Sequence, residues 1–514
     1  MNLAELALRP GRDSARANRN AFLTARGPVA NAQFQRQVVL VVKGLLQAGA
    51  RPGDKLLLRM TNSVEFAAAF LAVVWIGAIP VLQNSQFGRS ELDHIVALCD
   101  PTAILYSERS LNDPAASGLS PRVLRLVVTP TGLRGPNGGT DDDPSEPPAP
   151  FDADRDAAAF IVFTSGTTGK PKGVVHAHRW LDALGDSNRA RIPPQPDDVV
   201  LATGEWSFIS ALGHNVLFPL RNGLAGAIME DRASPRSILE TIERDRVTLL
   251  HSVATLYRRI LGTVGIESRY DLSSLRGANS TGEPLEDSVR TEWQRRIGCP
   301  IWEHYGVSEA QMVIGDGPSI PKREGSVGRT WGAHVAVLDG ELKPLPAGSI
   351  GTLAFASDYP GFFLGYLGDE ERTHATLRDG WFLTNDLARM DADGYVFIMG
   401  RADDCFKSKG VLIAPREVED AILGLGMFEE ACVFPLPDEM VGNRIAAAIV
   451  PRGNATDRPI DAANLARALA GRIAPFKLPS LVRVLAELPK NANGKTQRSE
   501  VARLVLQRIA AESG

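Results

Sequence analysis

The strongest constraint in this 514-residue chain is residues 163–173, which read Phe-Thr-Ser-Gly-Thr-Thr-Gly-Lys-Pro-Lys-Gly. Gly166, Gly169 and Gly173 free the backbone to curl, Thr164, Ser165, Thr167 and Thr168 supply hydroxyls, and Lys170 and Lys172 supply positive charge. Together they suit a loop that wraps phosphate oxygens. Residues 158–163 are apolar without interruption and read as a buried strand delivering the loop to a sheet edge. An ordinary surface turn draws on the same residue types, so the loop by itself leaves that alternative open. Spacing excludes the Walker loop: Gly494-Lys495-Thr496 matches its end, but Pro489 stands where the first glycine is required.

A chain of this length exceeds what one hydrophobic core serves, so two or more domains are expected. Hydrophobic (44%) and charged (23%) contents are those of an ordinary globular protein. A net charge of −4 gives no ground for nucleic acid or an anionic membrane as partner. Cys99, Cys299, Cys405 and Cys432 are scattered, with neither metal-ligand spacing nor a disulfide framework, which suits reduced thiols in a cytoplasmic protein. Met1-Asn-Leu-Ala-Glu lacks the basic start and apolar core of a secretory signal. Residues 66–82 carry no charge, but the run is short for a span and Gly77 and Pro80 interrupt it. A buried helix running into a strand is expected there, and no membrane span.

Helical spacing at 34–49 and strand-like runs at 55–59 and 102–106 favour an α/β architecture. Residues 129–156, rich in Pro, Gly, Asp and Ser, read as an exposed connection. An amphipathic helix is expected after Trp180. Residues 204–223 then mix bulky and small side chains around one histidine, a composition that suits an apolar pocket with a few polar contacts. Trp206, Phe208, Leu212 and His214 are candidates for its wall, with plain core packing as the alternative. Residues 249–257 read as a strand running into a helix, where His251 is either a polar wall contact or a satisfied core histidine. Residues 277–285 form a second Gly-rich turn. In residues 301–309, Tyr305 can stack on a base, Gly306 keeps the backbone close, and Glu309 can hold a hard cation such as Mg²⁺. Asp386 can accept two hydroxyl protons, and Asn385 beside it tolerates left-handed backbone.

The 163–173 stretch resembles the phosphate-loop signature of the adenylate-forming superfamily, which contains acyl-CoA synthetases, aryl-CoA ligases, adenylation domains and luciferases. Five further segments resemble its motifs in order, so the likeness runs from about residue 20 to 505. It implies a large N-terminal multi-sheet α/β domain (1–402) and a small mobile C-terminal α+β domain (403–514), hinged at Asp403. Residues 204–223 are similar to the acyl-pocket region of acyl- and aryl-CoA ligases. Gly282, Glu283 and Pro284 resemble the adenine-binding turn, and His304, Tyr305, Gly306, Ser308 and Glu309 fall in the Tyr-Gly-x-Ser-Glu region. Asp386 matches the ribose-binding aspartate, with Asn385 in place of the usual glycine. Arg401 would reach phosphate or ribose, and Ser408, Lys409 and Gly410 would meet pantetheine, although Leu412 replaces a common arginine. Lys495 matches the catalytic lysine, with Asn491 in place of the usual threonine.

What the resemblance implies is an acid:CoA ligase using ATP, Mg²⁺ and coenzyme A, acting on an aromatic, alicyclic or other bulky hydrophobic acid as a monomer or homodimer. The carboxylate would attack the α-phosphorus of ATP, and a thiol would then take the acyl group from the adenylate. Lys495, Glu309 with its metal, Lys172, Thr168 and the other loop hydroxyls would stabilise the charge that develops. Transfer to a carrier protein's pantetheine arm is the alternative. A luciferase-like oxygenase and a non-catalytic nucleotide binder are further readings.

Overall fold

The uncharged run at 66–82 becomes the centre of the N-terminal half. In the computed structural model, which describes residues 1–111, 113, 122–135, 138–139, 148–165, 170–331, 333–409, 411–438, 442–452, 460–490 and 496–513, it forms the helix Val64–Trp75 and the strand Ile79–Leu82. Ser63 caps the helix, its hydroxyl accepting from the Phe66 N–H at 3.1 Å. Every residue from Phe66 to Trp75 is buried, as expected of a helix apolar all round. Among the described residues no helix is long and apolar enough to cross a membrane.

Around that helix lie two nine-stranded sheets. In the first, Ala158–Ser165, Ile79–Leu82, Lys55–Arg59, Ala103–Ser107 and Leu124–Thr129 run parallel in that spatial order. Pro171–Ala177 and Gly365–Tyr366 extend it antiparallel on one side, and Gly132–Gly135 and Gly138–Gly139 on the other. The second sheet has a parallel centre of Asn20–Thr24, Ala225–Ala227, Val199–Ala202, Leu249–Ser252, Gly277–Thr281 and Ile301–Val307. Ala310–Gly315 and Arg329–Thr330 close one end antiparallel, and Gly27–Ala30 the other. A five-stranded antiparallel sheet contains Ile350–Ala356, Trp381–Met390 and Val396–Arg401.

The chain then builds a separate core. The clusters around Ile413, Val433 and Ile449 and around Phe434, Ala448 and Val501 contain only residues from Phe406 onward. They lie between the strands Phe428–Asp438, Gly442–Pro451 and Leu481–Val484 and the helices Pro415–Leu423, Ala462–Leu469 and Arg498–Ser513. A large multi-sheet α/β domain followed by a smaller α+β domain is the expected fold class.

The strand Ala158–Ser165 is flanked by Ile79–Leu82 and Pro171–Ala177 and is buried along its apolar run, as expected. Two local expectations need correction. Within 129–156, Gly132–Gly135 pairs as a strand with Leu124–Thr129 and buries Leu133. Gly277–Thr281 is likewise a strand, and the turn begins only at Gly282.

Candidate active site

Strand pairing sets the position of Lys172. Ala158–Ser165 and Pro171–Ala177 form a hairpin with Thr164 opposite Lys172, so the phosphate loop is its tip. Thr164 Oγ1 is buried and has no hydrogen-bond partner among the described residues. The side chain of Ser165 and residues Gly166, Thr167, Thr168 and Gly169 lie outside the described residues, as do Gly410 and Lys495.

Glu309 sits in the turn between the strands Ile301–Val307 and Ala310–Gly315 and is only 6% exposed. Its Oε1 accepts from Lys172 Nζ at 2.6 Å and from the Tyr366 hydroxyl at 2.6 Å. Lys172 Nζ also donates to the Tyr366 oxygen at 3.1 Å and lies 4.5 Å from the centre of its ring. Burial, then the Glu309 charge, raises the Tyr366 phenol, which therefore stays protonated and donates. Among the described residues no group of three or more His, Cys, Asp or Glu could hold a metal. A cation on Glu309 would therefore complete its shell with water and phosphate oxygens, as Mg²⁺ does where one carboxylate is offered. Tyr366 escaped the sequence reading because a single tyrosine between Gly365 and Gly368 carries no spacing signal. Only the pairing of Gly365–Tyr366 with Val174 and Val175 brings it to Lys172.

On the nucleotide side, the Tyr305 hydroxyl donates to Asp386, and Arg401 Nε lies 3.6 Å from the same carboxylate. Burial, then the Asp386 charge, raises the Tyr305 phenol. The Asp386 N–H donates to Thr384 Oγ1 at 3.1 Å. Asn385 adopts φ +62° and donates to Asp403 Oδ2 at 2.5 Å, joining the five-stranded sheet to the segment that leads into the second domain. Gly306 is forced by contact: a Cβ there would sit 2.7 Å from Gln311 O. Gly282, at φ +80°, has open space beside it. The Glu283 carboxylate accepts from the Thr255 N–H at 2.9 Å. Pro284 and Ser308 are half-buried. His304 is buried with both ring nitrogens engaged, by Asn279 Nδ2 at 2.5 Å and Asp316 O at 3.2 Å. Further on, Ser408 Oγ donates to Asn443 O at 2.8 Å, and Lys409 is exposed at φ +50°.

The pocket candidates divide. Trp206, 0% exposed, packs against Phe22 and Phe66 and donates from Nε1 to Asn215 at 3.3 Å. Leu212 joins the same core. For these two the core alternative holds, while Phe208 is half-buried. His214 lies in the π-helical turn Gly213–Leu217, and its ring is 4.1 Å from that of His251 on the strand Leu249–Ser252. His214 is lowered to about 4 and His251 well below the usual histidine range, both chiefly by burial. The Arg191 guanidinium, lowered by burial to about 10 and still a cation at neutral pH, acts on both rings and on His304. Arg191 was not foreseen; it ends the helix Trp180–Arg191 with no sequence neighbour to mark it.

Two family models match the chain: AMP-binding enzyme over residues 14–367 and AMP-binding enzyme C-terminal domain over 417–495. A feruloyl-CoA synthase of Amycolatopsis sp. is 30% identical over 92% of this chain and 93% of its own length. A 3-hydroxybenzoate–CoA ligase of Aromatoleum sp. (strain CIB) is 27% identical over 98% of this chain and 97% of its own. The crystal structure of the anthranilate CoA ligase AuaEII in complex with anthranoyl-AMP superposes with a TM-score of 0.89 at 26% identity, covering 99% of this chain and 98% of that one. With the first model spanning well over half of its length, the protein belongs to the AMP-binding enzyme family and is an AMP-forming ligase of the acyl-CoA synthetase type.

Proposed function

We propose that the protein activates an aromatic carboxylic acid with ATP and passes the acyl group to coenzyme A. The observation that carries this reading is the Lys172–Glu309–Tyr366 cluster at the base of the phosphate-loop hairpin. The aromatic class is supported by the feruloyl, 3-hydroxybenzoate and anthranilate substrates named for the relatives.

In this reading the hydroxyls of Thr164, Ser165, Thr167 and Thr168 and the backbone of Gly166 and Gly169 hold the leaving pyrophosphate. Lys172 neutralises its charge as the acid's carboxylate attacks the α-phosphorus. Asp386 accepts from the ribose hydroxyls, Arg401 supports it, and Tyr305 lies along the adenine. Glu309 would hold Mg²⁺, which supplies further charge neutralisation at the phosphates. Lys495 stabilises the attacking carboxylate and the bridging oxygen. For the thiol step, the residues from 403 onward turn about Asp403 and bring Ser408, Lys409 and Gly410 to the pantetheine arm.

A panel of aromatic, alicyclic and straight-chain acids, assayed for pyrophosphate release with free CoA, with a pantetheinylated carrier and with neither, tests this. Release and thioester formation with aromatic acids and free CoA are expected. Preference for straight-chain acids would remove the aromatic assignment, and activity with the carrier alone would replace CoA as acceptor.

A further inference from the structure

The three histidines grouped around Arg191 differ in one respect. His304 uses both ring nitrogens inside the protein, whereas His214 Nε2 and His251 Nδ1 are buried with no hydrogen-bond partner among the described residues. His214 is 2% and His251 7% exposed, so bulk water does not supply the missing bonds. Buried polar atoms almost always have a partner, so an orphan of this kind calls for one from outside the chain, a ligand group or an ordered water. His176 is in a different setting, held against the rings of Phe160 and Trp180 within the apolar core. At His214 and His251 two orphaned rings face each other.

The proton on His214 is fixed by its surroundings. Nδ1 lies 2.8 Å from the Ser210 carbonyl, which can only accept, so Nδ1 carries the hydrogen. In the neutral ring Nε2 is then a lone-pair acceptor, and its partner must donate. An ether, a carbonyl or a second carboxylate offers no proton; a hydroxyl or an amine does. No neighbour fixes the tautomer of His251, so its Nδ1 can donate to or accept from the same group. The ring centres are 4.1 Å apart with 33° between the planes, so the two imidazoles lie against each other.

We propose that His214 and His251 read a hydroxyl or amino substituent on the ring of the acid, making the protein selective for hydroxy- or aminoaryl acids over their unsubstituted and O-methylated counterparts. This rests on the aromatic acid reading given above and deepens it. A site built to bond a substrate O–H or N–H discriminates strongly against the analogue lacking it, because the buried nitrogens are then left unpaired.

The test compares kcat/KM for pyrophosphate release with benzoate and its hydroxy, amino, methoxy and fluoro derivatives at each ring position. At one ring position, the hydroxy or amino acid is expected to exceed the methoxy, fluoro and unsubstituted acids by about 100-fold or more. His214→Phe, which keeps an aromatic ring and removes the acceptor, is expected to bring that ratio below about tenfold, as is the milder His251→Asn. The ratio is internal to each variant, so partial loss of folded enzyme does not move it. Aromatic acids turned over by the wild-type protein without this preference, or a preference that survives in both variants, overturns the assignment alone. Turnover of straight-chain acids with none of the aromatic ones overturns the aromatic reading as well.

Discussion

At Glu309 one carboxylate oxygen is shared by Lys172 and Tyr366, each 2.6 Å away. The arrangement holds a charge out of water by giving it two donors, and removing either the charge or the cation has separable effects. Glu309→Gln keeps the shape and loses the charge; acid-dependent pyrophosphate exchange is expected to fall by about 100-fold or more. Lys172→Met leaves the carboxylate buried with the Tyr366 hydroxyl still donating to it. Breaking a fully buried pair costs about 3–5 kcal/mol, and because the lysine side chain keeps 24% exposure, about 1–3 kcal/mol is expected by urea denaturation. Exchange at the wild-type rate in both variants would remove this cluster from the chemistry. Lys172 and Glu309 could each be singled out in the sequence from the residues around them. Tyr366 could not, because its role comes from a strand pairing across 194 residues.

The strand Trp381–Met390 carries a left-handed residue in its interior, Asn385 at φ +62°. Asparagine enters that region at small cost where a β-branched side chain does not. Asn385→Gly is therefore expected to melt close to the wild type, its easier backbone offsetting the lost bond to Asp403, whereas Asn385→Val loses about 1–2 kcal/mol in the same thermal scan. Equal melting of the two would show that the strand relaxes out of the left-handed conformation. The tolerance of asparagine for this backbone was readable in the sequence. The strand character of Gly277–Thr281 was not: Gly277 looks like turn punctuation, but a Cβ there would lie 2.3 Å from the Trp302 ring of the adjacent strand. That glycine answers a neighbour in space, and the same misreading hid Gly132–Gly135, whose glycines sit in a paired strand.

Across the whole molecule, burial of histidines couples folding to pH. His176, lowered to about 3, and His178 and His214, each lowered to about 4, are joined by His251 and His304, which are also lowered, all chiefly by burial. Each stays neutral in the folded chain while the unfolded chain takes up a proton below about pH 6.5, so its stabilising contribution is present above that pH and lost as pH falls towards the folded value. Asp316, raised to about 6 by burial, acts in the opposite sense: its contribution is present in acid and lost as pH rises through 6. Five groups against one leave a net loss of stability between about pH 6.5 and 4, at up to about 1.4 kcal/mol per pH unit for each uncompensated group. Urea midpoints at pH 7, 5.5 and 4.5 should fall in that order; a flat series would mean that these imidazoles are already hydrated in the folded protein. By itself the sequence determined the phosphate-loop strand, the buried helix after Ser63, the α/β alternation and the reaction class, because glycine freedom, apolar runs and ordered motifs act over a few neighbouring residues. Only the tertiary structure decided that Trp206 and Leu212 are core, that Tyr366 shares Glu309 with Lys172, and that His214 and His251 face each other with nitrogens unpaired. Those outcomes depend on which strands pair and which side chains lose water together, and no local pattern in the chain records that.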